Sequence, residues 1–290
     1  MLKCFRCGNW DGEGCTCEDG QTLFHGDTRD VLRQLKPGLV DLFFTDPPYS
    51  SGGTMRSDRS VDPSAKYRFS GVQKTNPEFS GDNRDQRAFT LWCSDWMADA
   101  MAVTRSGGCL LCFIDWRNLP CVIDAVQVAG WVYRAIIPWD KTEACRPNKG
   151  WFRAQCEYLV GCSLGKLDQG GTANGIAAKG YFEAADNEPF DPGFVRQRVV
   201  GMDKRHITEK PVGLCEQILL TRGDWLTVCD PFAGSGTTLQ AAKNMGKRGI
   251  GIELSGDYCE VIAERLDQAV LFGSEQRGGG ERETQNELFE

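Results

Sequence analysis

No uncharged apolar run in this 290-residue chain approaches the roughly 18 residues that a membrane-spanning helix requires. The first residues, Met1-Leu2-Lys3-Cys4-Phe5-Arg6-Cys7, also lack the roughly 7–15-residue apolar stretch of a secretory signal, so a cytoplasmic protein without a membrane partner is expected. A basic excess is missing too: 33 Lys plus Arg stand against 40 Asp plus Glu, a formal net charge of −7. Coating a polyanion through bulk charge is thereby excluded, and any nucleic-acid contact must come from local patches. No internal repeat is present.

What is present is an ordinary globular composition, 41% hydrophobic and 25% charged, long enough for one large core with insertions or for two small domains. Its 14 cysteines would suggest disulfides in a small secreted domain, but the chain is long and carries no export signal, so free thiols and metal ligands are the better reading. Cys4 and Cys7 form a C-x-x-C pair, Cys15 and Cys17 a tighter C-x-C pair, and seven residues rich in Gly, Asn and Asp join them. That spacing lets the chain fold back into a tetrahedral four-sulfur zinc site, so residues 1–20 are read as a zinc knuckle. The remaining cysteines are scattered, often within apolar runs such as Cys109-Leu110-Leu111-Cys112-Phe113, and are expected to be buried small hydrophobes.

Strands and helices alternate along most of the chain. Strands are expected at 22–26, 39–45, 109–114, 131–138, 156–162, 225–229 and 248–253. Helices are expected at 27–35, about 88–104, 117–129, 211–221, 236–246 and 256–272. This rhythm predicts an α/β fold with a central, mostly parallel, seven-stranded sheet and helices on both faces. Two segments break it. Residues 50–90, polar and punctuated by Gly, Ser, Asn and Pro, read as a long loop or lid within the half spanning 21–163. Residues 164–205, rich in Gly and turn pairs, read as an insertion too irregular to join the sheet. A second half spans 206–272, and 273–290 is a solvated acidic tail.

Two loops carry chemistry. The strand ending at Cys229 runs into Asp230-Pro231-Phe232-Ala233-Gly234-Ser235-Gly236-Thr237-Thr238 before a helix begins, and glycines at such a turn let backbone N–H groups approach a ligand closely. Glu253 ends the next strand about 20 residues beyond, where an acidic residue can hydrogen-bond ribose hydroxyls. Together they suggest a ligand carrying adenosine. The second loop is Asp46-Pro47-Pro48-Tyr49. Its two prolines remove backbone donors and fix the path, leaving an acidic acceptor, bare carbonyls and an aromatic ring able to grip a planar group bearing NH2.

In this pair of loops the chain resembles the amino-methylating DNA methyltransferases that use S-adenosylmethionine, in the permuted (beta) order with the catalytic loop first. Gly26-Asp27 before the first helix, and His206 through Lys210-Pro211, match as well; one departure is Ile207, where family members often carry Pro after the histidine. The resemblance covers about residues 21–49, 90–163 and 206–270. It implies a Rossmann-like methyltransferase fold, as found in restriction-modification systems, and double-stranded DNA as substrate. Asp46, Pro47, Pro48 and Tyr49 would be catalytic: Asp46 and the Pro47 carbonyl accept the amino hydrogens, and Tyr49 stacks on a base flipped out of the duplex. Asp27 would contact the cofactor adenine, Glu253 the ribose, and the turn from Asp230 through Phe232, Gly234, Ser235, Gly236, Thr237 and Thr238, with Lys210, the methionine end.

Asp at position 46 favours adenine N6 over cytosine N4, since relatives acting on cytosine more often carry Ser there. RNA or a protein amide is the other alternative substrate. Three basic stretches flank the mouth of the site and are expected to touch phosphate: 51–90 with Arg56, Arg59, Lys66, Arg68, Lys74, Arg84 and Arg87, then 141–155, and 196–210 with Arg196, Arg198, Lys204 and Arg205. The insertion 164–205 is expected to choose the target sequence, and a second copy of the chain is carried as a further expected partner.

Overall fold

A strand with bulky apolar groups on both faces must be covered on both. In β2 (Val40–Thr45), Phe43 and Phe44 point to opposite sides and both are fully buried. Phe43 packs with Phe24, Trp96, Leu110 and Val160, whereas Phe44 packs with Phe113, Trp139, Leu214 and Trp225. The structure, a computed structural model, describes residues 2–12, 14–15, 17–50, 84–143, 145, 150–167, 194–199 and 209–268. Most of the expected lid and insertion, His206, Ile207, Lys204, Arg205 and the tail lie outside the described residues.

The chain continues from β1 (Gln21–His25) and α1 (Thr28–Leu32) through β2 to α2 (Gln86–Val103), β3 (Thr104–Ile114), α3 (Leu119–Val128), β4 (Val132–Asp140) and β5 (Cys156–Ser163). Then come β6 (Val195–Arg196), α4 (Val212–Leu220), β7 (Thr227–Asp230), α5 (Thr237–Asn244), β8 (Arg248–Glu253) and α6 (Gly256–Asp267). Helix α2 shows why these segments fold locally as they do. Asp85 caps it by accepting from Ala88 N at 3.0 Å, and its inward face carries Phe89, Cys93, Trp96, Met97 and Ala100 at helical spacing. On β8, Gly251 lets α5 approach closely: a Cβ there would stand 2.5 Å from Leu239 Cδ1.

Among the described residues one sheet of eight strands results, in the order β1-β8-β7-β2-β3-β5-β4-β6. All neighbours are parallel except β3–β5 and β4–β5. The count corrects the expected seven. The extra strand, β6, lies inside the stretch read as too irregular for the sheet and pairs with Trp139 and Asp140. It is held by the burial of Val195 and by Trp139 Nε1 donating to the Gln197 carbonyl at 2.8 Å. Two residues are too few to show a period, so only tertiary packing reveals them.

Strands β7 and β2 are neighbours through Leu42↔Val228 and Phe43↔Cys229, yet β7 leads outward to β8 on one side and β2 to β3 on the other. In open parallel sheets the crevice beyond the carboxyl ends of two such diverging strands is where ligands bind. Asp46-Pro47-Pro48-Tyr49 leaves the end of one strand and the Gly-rich turn leaves the end of the other.

Candidate active site

The two loops are tied at their roots. Thr45, the last residue of β2, donates from Oγ1 to Asp230 Oδ1 at 2.8 Å, and Phe232 N donates to the same oxygen at 3.1 Å. Thr28 Oγ1 reaches the Pro231 carbonyl at 2.5 Å. Burial pushes the Asp230 carboxyl up to about 6 although Thr238, Thr45 and the Phe232 amide all favour its charged form. Asp230 is thus a buried clamp between the loops.

Around Asp46 the structure assembles a ring of charges. Lys210 Nζ donates to Asp46 Oδ2 at 2.6 Å and lies 3.4 Å from Glu157 Oε2. Tyr49 donates from its hydroxyl to Glu157 Oε2 at 3.1 Å, and Lys141 Nζ donates to Glu157 Oε1 at 3.2 Å. The Lys210 ammonium also stands 5.1 Å from the Tyr49 ring centroid and 5.2 Å from that of Phe113. Burial raises the Asp46 carboxyl above its ordinary value, with Lys210 the chief opposing influence. Burial acts on Glu157 in the same sense, but Lys210 and Lys141 outweigh it and hold Glu157 below its ordinary value. Burial would deprotonate Lys210, yet Asp46 and Glu157 keep it firmly charged. Pro47 is buried, Pro48 and Tyr49 are half-buried, and Asn118 Nδ2 donates to the Tyr49 carbonyl at 2.7 Å. Ser50 follows with φ 51°, a left-handed conformation costly for a residue with a Cβ.

The Gly-rich turn is held from behind. Gly234 (φ 53°) and Gly236 (φ 80°) both adopt left-handed backbone, and Gly236 caps α5. Arg265 NH1, reaching from α6, donates to the Ser235 carbonyl at 3.0 Å, to Thr237 Oγ1 at 3.3 Å and to Glu209 Oε1 at 2.8 Å. Ser235 and Thr237 are buried in this bracing and Thr238 is buried beside Asp230, whereas Phe232, Gly234 and Glu253 keep exposed surface. Glu253 Oε2 accepts from Gly234 N and Oε1 from Ser255 N, each at 2.8 Å. Phe232 packs against Trp92 and Trp96 of α2, with ring centroids 5.3 and 5.2 Å away. Asp27 is exposed and caps α1 by accepting from Arg29 N at 2.9 Å; its neighbour Gly26 donates to the Glu253 carbonyl at 2.9 Å, so Asp27 and Glu253 leave adjacent strand ends.

The sequence profile of the DNA methylase family of N6 and N4 enzymes matches residues 40–265, from β2 into α6. The chain belongs to this family. The methylase is 29% identical over 259 residues to the type II methyltransferase M2.DpnII of Streptococcus pneumoniae, covering 84% of this chain and 89% of the relative. Its fold is that of the M1.HpyAVI–SAM complex (TM-score 0.57, 21% identity, 86% of this chain and all of the other). It is equally like the cytosine-N4-specific PvuII DNA methyltransferase (TM-score 0.59, 14% identity, 87% and 88% covered). Among the described residues no helix is long and apolar enough to cross a membrane.

Several residues of the methylase site escaped the sequence reading. Glu157 was signalled only as a lone acid in an otherwise apolar strand, and Arg265 as a lone base on the buried face of α6, between Ile262 and Leu266. Lys141 was grouped with the phosphate-facing bases, and the structure bonds it to Glu157. Arg196 likewise pairs with Asp140 and Glu143, each at 3.4 Å. Cys4, Cys7, Cys15 and Cys17 lie away from the site, beside edge strand β1.

Proposed function

We propose that this methylase transfers a methyl group from S-adenosylmethionine to the N6 amino group of adenine flipped out of double-stranded DNA, as a beta-class enzyme. The observation that carries the reading is the Asp46 carboxylate, paired with Lys210 at 2.6 Å on a loop next to the Gly-rich turn. The donor set fits the cofactor: Glu253 offers a carboxylate already fixed by two backbone N–H groups, suited to a ribose diol, and Phe232 offers an aromatic face beside it. When bound, the cofactor supplies an electrophilic methyl on a sulfonium.

An exocyclic amino nitrogen is a poor nucleophile because its lone pair is delocalised into the ring. Asp46 and the Pro47 carbonyl accept its two hydrogens, which makes the nitrogen more tetrahedral and frees the lone pair for in-line attack. Tyr49, its ring oriented through the bond to Glu157, stacks on the base and sets the distance. Lys210 keeps Asp46 an acceptor in a half-dry site, where a protonated carboxyl would present a donor instead. The insertion 164–205 reads the target sequence, and Asp at position 46 argues for adenine.

Incubation with labelled cofactor and duplex DNA, followed by nucleoside analysis, tests the reading. N6-methyladenine is expected. N4-methylcytosine alone would reassign the base, and label on RNA or protein alone would overturn DNA as substrate.

A further inference from the structure

The N-terminal cysteines belong to neither of the two loops, yet the fold brings all four together. One sulfur from each of Cys4, Cys7, Cys15 and Cys17 lies within 4.8 Å of every other, although the residues come from two separate turns of chain. Among the described residues no disulfide joins any of the cysteines. Cys4 Sγ and Cys17 Sγ are 3.9 Å apart, far beyond a disulfide bond, which is roughly 2.0 Å. Four sulfurs tetrahedrally placed about 2.3 Å from an ion are mutually separated by about 3.8 Å, so the observed spacing is that of a metal-sized centre.

We infer that Cys4, Cys7, Cys15 and Cys17 bind one structural zinc ion that locks the start of the chain onto edge strand β1. The chemistry of the surroundings agrees. Cys4 is buried and Cys7, Cys15 and Cys17 are half-buried, as the ligands of a structural site are. Gly8 at φ 77° closes the turn between the first two ligands, with its amide donating to the Cys4 carbonyl at 2.8 Å. All four ligand positions are filled by cysteine, which marks a closed structural site and leaves none for substrate. A tetrahedral four-sulfur set takes zinc or iron. Methyl transfer moves no electrons through the protein, so the redox-inert ion is assigned.

What the ion holds in place is visible around it. Phe5 N donates to the Leu23 carbonyl at 2.6 Å, covering part of the open edge of β1. Trp10 packs edge-on against Phe24 at 5.0 Å between centroids. Arg6 bonds Asp19 at 2.8 Å and Asp267, at the end of α6, at 2.7 Å. The knuckle therefore ties the first turn of the chain to both the sheet edge and the last described helix.

The test is metal analysis of the full chain purified without chelators, together with exchange into cobalt(II). One zinc per chain is expected, released by a thiol-reactive mercurial, with the cobalt form showing sulfur-to-metal charge transfer and the intense visible bands of a tetrahedral site. The double variant Cys15→Ser, Cys17→Ser should lose the metal and melt at lower temperature, whereas Cys156→Ser, outside the cluster, should keep one equivalent. Should the double variant fail to fold, the cobalt spectrum of the unaltered chain still decides. Absence of metal, one equivalent of iron, or a cobalt spectrum without sulfur ligands would overturn the assignment.

Discussion

Lys210 Nζ lies 2.6 Å from Asp46 Oδ2 and 3.4 Å from Glu157 Oε2, so a single buried ammonium serves two carboxylates. Lys210 is the chief influence favouring the charged form of Asp46, against burial and the Glu157 charge, which both raise its pKa. The electrostatic balance of the site is therefore sensitive to one side chain.

Replacing Lys210 by Met removes the principal influence that lowers the Asp46 pKa, and the raising influences remain. The pKa must rise, and if Asp46 acts as proposed, with the ionised carboxylate the stronger acceptor of the amino hydrogens, the acidic limb of the turnover profile should move to higher pH. Single-turnover rates across about pH 5.5–9 check this, with the deficit of Lys210→Met larger at the acidic end. Profiles of identical shape would dismiss the coupling.

Asp46 and Glu253 should separate chemistry from cofactor binding. Asp46→Ala is expected to lower turnover at least about a hundredfold while calorimetry still detects cofactor binding, the size typical of losing one fixed hydrogen-bonding group at a reacting centre. Glu253→Ala should weaken binding by about tenfold or more, as one hydrogen bond to a charged group is worth roughly 1.5–3 kcal/mol. Equal effects of both changes on binding would contradict the division of labour.

Arg265 and Glu209 form a pair in which both side chains are over nine-tenths buried, at 8% and 7% exposure. Arg265→Met removes the buried ion pair with Glu209 and the donor to the Ser235 and Thr237 oxygens. A loss of about 3–5 kcal/mol in urea unfolding is expected. The double change Arg265→Met, Glu209→Gln should recover part of it.

Asp230 carries a pH signature. Its folded pKa of about 6 exceeds the ordinary 3.8, so the folded chain binds this proton more tightly than the unfolded chain. The stability it contributes is complete below about pH 4 and is lost as pH rises through about 6. Asn cannot titrate, so Asp230→Asn should gain on the unaltered chain by about 1–3 kcal/mol between roughly pH 4.5 and 7.5, read from urea midpoints. A difference independent of pH would show that Asp230 does not titrate in this range.

Residue spacing in the sequence alone was enough to locate the alternating strands and helices, the two loops and the four cysteines, because apolar periodicity, Pro-Pro and Gly-x-Gly turns and ligand spacing are local properties. Long, doubly buried strands such as Leu42-Phe43-Phe44 announce themselves in the same way. The sequence also placed Asp46 and Glu253 at strand ends, where a parallel sheet presents its ligands. Tertiary structure decided what local pattern cannot carry: that β6 adds an eighth strand, that Lys210 spans 164 positions to bond Asp46, and that Glu157, Lys141 and Arg265 stand beside the two loops. The β6 pairing depends on the burial of Val195 against the sheet, and each of the others on a buried charge finding its counter-charge across the fold. A lone acid in an apolar strand shows only that some partner is required, and the packing of the sheet determines which one.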